Sequence, residues 1–414
     1  MSDPIRITVA DTAPEEAGRF DRFKLIAWWD QERLRNAKVL VIGAGALGNE
    51  LLKNLALLGV GNVLVADLDT IENSNLSRSV LYRAADNGKA KAAVAAEAAR
   101  GLYPEMNTQA FVGNVVYDLG LGVFRWADVV LGGLDNREAR LAINRACWKL
   151  NKPWIDGAIE TIQGTARVFV PDGAAQVSAC YECTMSETDW RLLNLRRSCN
   201  LLTREQMQTG HTPTTPTISS IIAGVQVQEA VKILHGLETF AGKGWVFEGL
   251  SADSYMTEFQ RKEDCYSHDP VDEVIELEAS SATLTARELL TMAREKLGPE
   301  AQIELGRDVL EKLTCPRCKR EETLFSSLGK VSVDKAWCPA CMEEGHKSRR
   351  EVTTFHKIRG TEPFLDQPLA AIGVPTFDIL VSRNAERVIG FELTRDAQEA
   401  LGDLWQDEAG LEFE

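Results

Sequence analysis

The sequence predicts an α/β fold, a doubly wound and mainly parallel sheet, with a smaller α+β domain after it. Three observations predict it: a glycine turn joining a short apolar strand to a helix, repeated strand–turn–helix units, and a change of texture near residue 271.

The elements follow in order. After a polar lead (1–18), residues 19–36 read as helical. "AKVLVIGAGALGNELLKNLALLGVGNVLVADLD" (37–69) gives strand, glycine turn, helix and strand, a Rossmann-like βαβ unit. An alanine-rich helix, "KAKAAVAAEAARGLYP", and a strand-like "TQAFVGNVV" come next, and "ADVVLGGLDNREARLAINRACWKLNKPWIDGAI" (127–159) repeats the unit. Residues 217–235 read as a helix with Ile221, Val225, Gln228 and Lys232 on successive turns. From 271, "VDEVIELEASSATLTARELLTMAREKLG" begins as a strand and becomes a helix, with Thr285 and Glu288 spaced as a capping box. "FDILVSRNAERVIGFELTRD" reads as a hairpin in which Phe377, Ile379 and Val381 alternate and Asn384 turns. Strand, helix and further strands fit a small α+β domain of β-grasp type, so the expected division is 19–270 and 271–414.

Composition narrows the function. The 414 residues exceed one ordinary core. A formal net charge of -15 disfavours nonspecific nucleic-acid binding, because a polyanion gains nothing from an acidic surface. The N-terminus lacks an apolar signal core and no run approaches the ~20 apolar residues of a membrane span, so a cytoplasmic protein with no membrane partner is expected. Of nine cysteines, six fall in CxxC pairs and Cys265 in CxxH, which leaves Cys147 and Cys199. In a reducing compartment such pairs favour metal over disulfide.

Gly43, Gly45 and Gly48 directly follow the first strand, where glycine permits close backbone approach and a helix N-terminus offers N–H groups to phosphate. Asp67 ends the next strand, placed to accept from ribose hydroxyls. Alone, this fingerprint suits NAD or FAD equally. "SNLSR" adds Asn75 and Arg78, "DNGKAK" adds Lys91, and "GGLDN" puts Asp135 at a strand's C-terminal end. Cations suit a triphosphate and the carboxylate suits Mg²⁺, so ATP is the expected nucleotide. The alternatives are a surface role for Lys91 and a helix-cap role for Asp135. "CPRC" (315–318) and "CPAC" (338–341) have zinc-ribbon spacing, giving Cys315, Cys318, Cys338 and Cys341 as a structural Zn²⁺ set.

The order "RFDRF…VLVIGAGALG…DLDTIENSNLSR…DNGKAKA…GLDN" resembles the E1 superfamily, which spans the MoeB and ThiF adenylyltransferases of sulfur carriers and the activating enzymes of ubiquitin-like proteins. The resemblance covers about 19–268. It implies that Gly43, Gly45, Gly48 and Asp67 cradle the adenosine side, that Asn75, Arg78 and Lys91 meet the phosphates, and that Asp135 holds Mg²⁺. It implies a homodimer in which Arg22 reaches the partner's site; the alternative is a solvated helix-end charge. Family members join two CxxC pairs on one structural Zn²⁺, which here implies Cys180, Cys183, Cys265 and His268, with histidine in the last place.

The resemblance also implies a crossover loop, about 184–216, in which Cys199 captures the activated carboxylate as a thioester, with Arg196 and Arg197 favouring the thiolate. The alternative is a loop cysteine without chemistry; Cys147 reads as core. Residues 365–384 resemble a ubiquitin-fold domain that recruits a conjugating enzyme. The expected reading is an E1-like enzyme that adenylates the C-terminal glycine of a ubiquitin-like protein and passes it to an E2-like carrier. Its rivals are a MoeB-type adenylyltransferase without the thioester and a non-catalytic scaffold.

Overall fold

The computed structural model describes residues 18–171, 178–198 and 213–405. Its organising feature is a first strand buried on both sides, β1 (Lys38–Ile42), in which Val39 to Ile42 are at most 1% exposed. Such a strand needs layers on both faces, and the chain supplies them through the helices that connect its parallel strands.

Residues 19–36 do not form the single helix expected. A 3₁₀ turn at Phe23–Leu25 ends in extended Ile26, and Asp30 then caps α1 (Gln31–Asn36) by accepting from the N–H groups of Glu32 and Arg33. The side chains between pack as rings, with Phe20 edge-on to Tyr103 and Trp29 against Phe23, which holds the break.

After β1 the chain runs through α2 (Ala46–Leu58), β2 (Asn62–Asp67), α3 (Lys91–Leu102), β3 (Asn107–Val112), α4 (Leu121–Trp126), β4 (Val129–Gly132), α5 (Arg137–Lys149), β5 (Trp154–Glu160) and β6 (Gln163–Phe169). There follow α6 (Tyr181–Thr184), α7 (Glu187–Ser198), α8 (Pro216–His235), β7 (Lys243–Glu248) and β8 (Asp253–Glu258). These strands form one eight-stranded sheet, ordered β3-β2-β1-β4-β5-β6-β7-β8. The first five are parallel and the last three antiparallel. Strand order reverses between β1 and β4, where ligands of open α/β sheets bind.

The two faces separate by alternation along each strand. Val39, Val41, Val63, Val65 and Leu131 join one core with α2, α3 and α8. Leu40, Ile42, Leu64 and Val130 join the other with α4 and α5. Cys147 is fully buried there, as expected of a core residue. On α8 the buried stripe is Ile218, Ile222, Gln226, Val227 and Ala230, whereas Ile221 and Gln228 face outward.

The second sheet is built from β9 (Glu273–Leu277), β10 (Gln302–Thr314), β11 (Glu321–Ser327), β12 (Glu351–Ile358), β13 (Ile379–Arg383) and β14 (Val388–Leu393). With it come α9 (Ala286–Leu297), α10 (Pro339–Glu343) and α11 (Ala397–Leu401). Its order is β11-β10-β13-β14-β9, with β12 also on β10. The Thr285–Glu288 capping box of α9 and the Asn384 turn are present as expected. First and last strands pair in parallel, as a β-grasp requires, and here that pair lies at the sheet edge.

Phe377 departs from the hairpin alternation. It precedes β13 at φ +56 and is buried in the adjoining domain's core. Its carbonyl accepts from Gly122 N at 3.0 Å, and Asp378 Oδ1 accepts from Leu121 N at 2.9 Å, so the second domain caps α4. A Cβ on Gly120 or Gly122 would stand 2.4 or 2.6 Å from the Phe377 carbonyl oxygen, so close approach requires glycine at both. Arg125 spans to Glu392 and Glu276, and Ala397, Leu401 and Leu404 complete the core on the α4–α5 face.

Leu401 is fully buried at that junction. Leu401→Ala should therefore cost about 2–5 kcal/mol, read by urea denaturation of the full chain. An unchanged midpoint would mean that α11 is not part of the first domain's core.

Candidate nucleotide and metal sites

The glycine turn between β1 and α2 is shaped by backbone crowding. Gly43 has φ +92, and a Cβ there would lie 2.4 Å from the Gly133 carbonyl oxygen. A Cβ on Gly48 would lie 1.9 Å from the Gly43 carbonyl oxygen, while one on Gly45 would meet nothing within 4 Å. Gly43 and Gly48 thus shape the turn and Gly45 leaves an open approach at the N-terminus of α2, the arrangement that favours phosphate.

Asp67 sits half-buried at the end of β2. Its Oδ2 accepts from Ala44 N at 2.7 Å and its Oδ1 from Asp69 N at 2.7 Å. Burial pushes its carboxyl up, opposed by these two N–H groups and by Lys91. Lys91 begins α3, and its Nζ lies 2.8 Å from Asp69 Oδ2 with only 13% of the side chain exposed. Its ammonium is thus held by a carboxylate just beyond the end of β2. Asn75 Oδ1 accepts from Glu72 N at 2.9 Å, and Arg78 Nη1 donates to the Ser74 carbonyl at 2.8 Å, which leaves the guanidinium half-exposed.

Asp135 is exposed between β4 and α5 and accepts from Asn136 Nδ2 at 3.2 Å. The cap of α5 is Asn136, whose Oδ1 accepts from Ala139 N at 2.8 Å, so the helix-cap role does not fall to Asp135. An exposed oxygen donor at the strand-order reversal suits Mg²⁺, whose ligands are hard oxygens. Arg22 lies elsewhere in this chain. It is exposed, next to Leu25 and Trp28, on a segment that packs against the C-terminal end of α3, the far end of that helix from Lys91.

Sequence reasoning missed two buried residues that hold the turn. Asn49, fully buried, donates from Nδ2 to the carbonyls of Ala44 (2.8 Å) and Gly45 (3.0 Å), and its Oδ1 accepts from Leu81 N at 2.9 Å. Tyr82 donates its hydroxyl to the Ala44 carbonyl at 2.5 Å, with the Lys91 carbonyl 3.2 Å away. Burial pushes its phenol up, so it stays a donor. The signal was slight: Asn49 directly follows the last glycine and Tyr82 follows Leu81, but each is next to a charged residue, Glu50 or Arg83. A third missed group is Asp156, fully buried on β5, which pairs with Arg140 Nε at 2.9 Å and with Arg167.

Cys180, Cys183, Cys265 and His268 converge as the resemblance implied, with every ligand atom within 4.8 Å of the others. The Cys180 Sγ stands 3.6 Å from Cys183 Sγ and 3.5 Å from Cys265 Sγ, and Cys183 Sγ lies 3.5 Å from His268 Nε2. Ligands about 2.3 Å from a tetrahedral Zn²⁺ stand about 3.8 Å apart, so the cluster fits that ion. Contact with Cys180 pulls the Cys183 thiol down and pushes Cys265 up, as when neighbouring thiols share one proton deficit. Supports come from α5. Asn144 accepts from Tyr181 N and donates to Ser267, and Arg145 grips Glu182 through two bonds of 2.9 and 3.1 Å.

Cys315, Cys318, Cys338 and Cys341 form the second cluster, with Cys315–Cys341 at 3.8 Å and Cys318–Cys338 at 3.6 Å. It fits Zn²⁺ equally well. Both donor sets are four-membered and closed, so their chemistry is structural.

Cys199 lies outside the described residues, but both flanks of 199–212 are placed. On one side Arg137, in the first turn of α5, pairs with Asp189 of α7 at 2.8 Å. On the other, Thr161 N donates to the Pro213 carbonyl and Thr161 pairs with Thr214, at the turn after β5. Both anchors stand at the C-terminal edge of the parallel strands, the edge that carries the glycine turn and Asp135.

A profile of the ThiF family matches residues 19–267. The chain is 30% identical over 292 residues to the Mycobacterium tuberculosis protein named "Probable adenylyltransferase/sulfurtransferase MoeZ", covering 66% of this chain and 71% of that one. It is 40% identical over 168 residues to the Caenorhabditis elegans "NEDD8-activating enzyme E1 catalytic subunit", covering 37% of this chain and 38% of that one. Among solved structures, Escherichia coli MccB with ATP superposes with a TM-score of 0.51 at 22% identity, over 62% of this chain and 75% of that one.

Two measurements check the sites. Elemental analysis should find two zinc ions per chain, falling to one in Cys180→Ser and in Cys338→Ser. Tyr82→Phe should weaken ATP binding about 5–10-fold in calorimetry, the loss expected for about 1–1.5 kcal/mol from one buried hydrogen bond. Unchanged affinity would mean that Tyr82 does not hold the turn.

Proposed function

This chain belongs to the ThiF family, and we propose that it uses MgATP to adenylate the C-terminal glycine of a ubiquitin-like protein and captures the product as a thioester on Cys199. The observation that carries the reading is the convergence of the Gly43–Gly48 turn, Asp67, the Lys91–Asp69 pair and Asp135 at the strand-order reversal. The ATP-dependent adenylyltransferase class rests on this membership and on relatives named as adenylyltransferases and activating enzymes.

In the first step a carboxylate oxygen attacks the α-phosphorus and pyrophosphate leaves, giving an acyl-adenylate. Gly45 leaves room for the phosphates against the N–H groups of α2, and Asp67 accepts from the ribose. Lys91 and Arg78, with the partner subunit's Arg22 in a homodimer, balance charge as it moves onto the leaving group, the type of electrostatic stabilisation that lowers such barriers most. Mg²⁺ bound at Asp135 would neutralise phosphate charge. The exposed Leu25 and Trp28 beside Arg22 fit a surface covered by a second protomer. In the second step the Cys199 thiolate attacks the mixed anhydride carbonyl and AMP leaves. Support for a protein substrate comes from β8, an edge strand with exposed Tyr255 and Met256 that offers unpaired backbone groups to another chain.

A second reading, favoured by the likeness to the MoeZ protein over two thirds of the chain, is a sulfur-carrier adenylyltransferase with no thioester step. Transfer to an E2-like carrier belongs to the first reading alone.

ATP–pyrophosphate exchange with a glycine-terminated carrier should fall about 100-fold or more in Lys91→Ala and in Asp135→Ala, the loss of about 2.7 kcal/mol that removing one transition-state contact produces. Exchange unaffected by either change would refute the nucleotide assignment. Cys199→Ala should keep exchange within about threefold while abolishing a thiol-labile adduct on a non-reducing gel. If wild type exchanges yet forms no adduct, the sulfur-carrier reading replaces the thioester one.

A further inference from the structure

The second cysteine cluster stands at the end of an arm. Strand β10 pairs with β13 only through Gln302–Glu304, then continues from Val309 to Thr314 between β11 and β12 alone. That stretch adds about 17 Å of ribbon beyond the domain's sheet. Leu310, Leu313, Val331 and Ala336 give the arm a small core of its own, and the four cysteines close its end.

Charge is distributed unevenly along this domain. Arg287, Arg307, Lys312, Lys330, Lys357 and Arg383 each hold a carboxylate. Lys296, Arg359 and Arg395 of the base are exposed without an ion pair to a described residue but stand singly along the chain, whereas at the arm's tip such cations are grouped. Arg317, Lys319 and Arg320 on the first cysteine knuckle, and Lys347 and Arg349 beside the second, are exposed and form no ion pair with a described residue. Residues 315–350 carry eight Lys and Arg against five Asp and Glu, in a chain of net -15. A Zn²⁺ with four thiolates leaves two negative charges at the buried centre, which the five exposed cations outnumber.

Apolar groups share that surface. Trp337 is 36% exposed with Lys347 Nζ 5.9 Å from its ring centroid, and Met342 is 52% exposed. Tryptophan, methionine and arginine are the residues enriched where proteins dock, whereas surface lysines alone are not.

From these observations we propose that the zinc-closed arm tip is a docking surface for a separate acidic protein, whose carboxylates meet the two knuckles and whose apolar side chains meet Trp337 and Met342. A zinc-braced tip binds without first ordering itself, so little conformational entropy opposes association. Protein is favoured over nucleic acid because Glu343 and Glu344 lie exposed on the same lobe and the body of the molecule is strongly acidic. A polyanion extending past the tip meets repulsion, whereas a short acidic segment does not. The proposal stands independently of the adenylation reading.

The test uses the full-length, zinc-loaded protein and a fluorescein-labelled peptide of about 14 residues rich in Asp and Glu with two leucines. Its Asn/Gln counterpart and a single-stranded RNA of equal charge serve as comparators. By anisotropy, the acidic peptide should bind at least about 10-fold more tightly than its amide counterpart. Arg317→Glu combined with Lys319→Glu and Arg320→Glu should weaken it at least about 10-fold, and Trp337→Ala at least about threefold, with both zinc ions retained. If the triple Glu variant loses zinc, the corresponding triple Gln variant takes its place. RNA binding as tight as the peptide through the same residues would overturn the proposal in favour of nucleic acid. A lower oligomeric state in the triple variant than in wild type, both without peptide, would overturn it in favour of self-association through the tip. Peptide affinity indifferent to these substitutions would end it.

Discussion

Burial of the central parallel strands on both faces is the constraint from which the rest of this structure follows. With β1 and β4 sealed above and below, water reaches them only at their ends. The C-terminal ends, where strand order reverses, are where the glycine turn and Asp135 emerge. One face is covered by α2, α3 and α8. Helices α4 and α5 do not cover the other alone, and the second domain supplies the remainder through Phe377, Leu401 and Leu404. The domain junction is thus part of a hydrophobic core, which ties the position of the second domain to the stability of the first.

Helix α5 links the edge that carries the glycine turn to the Cys180, Cys183, Cys265 and His268 cluster. Its first turn borders Asp135 and pairs with α7 through Arg137 and Asp189. Its middle grips Asp156 through Arg140, and its later turns hold the cysteine loops through Asn144 and Arg145. Breaking a buried charge pair such as Arg140–Asp156 strands an uncompensated ion, at a cost of about 3–5 kcal/mol. The cysteine–histidine cluster and the edge that carries the glycine turn are thus tied to the same helix.

The second domain joins two parts of different character. Its base is bound by close backbone approach at Gly120 and Gly122 and by ion pairs across the junction. Its arm leaves that base as three strands with a core too small to be stable alone, and the cysteine cluster compensates for the missing apolar area. Rigidity at the base and exposure at the tip leave the arm's outer surface as the part available to another molecule.

Much of this was legible from sequence. Periodicity gave the alternating strands and helices, because a two-sided parallel sheet demands apolar runs at fixed spacing. Glycine spacing gave the turn, because only glycine tolerates the contacts at Gly43 and Gly48. Zinc-ribbon spacing gave the Cys315, Cys318, Cys338 and Cys341 cluster, since knuckle geometry is local, whereas the meeting of Cys180 and Cys183 with Cys265 and His268 across 81 residues came from the family resemblance. Three features were decided by tertiary structure alone. The break at 26–30 is held by His235 of α8, which meets Trp28, Trp29 and the Asp30 N–H, Phe377 leaves its expected strand to fill a distant core, and Asn49 and Tyr82 matter only because folding brings the Ala44 carbonyl to them. Local pattern records what each segment must bury or turn. Which buried partner it meets is settled by contacts between residues far apart in the chain, and no local spacing encodes those.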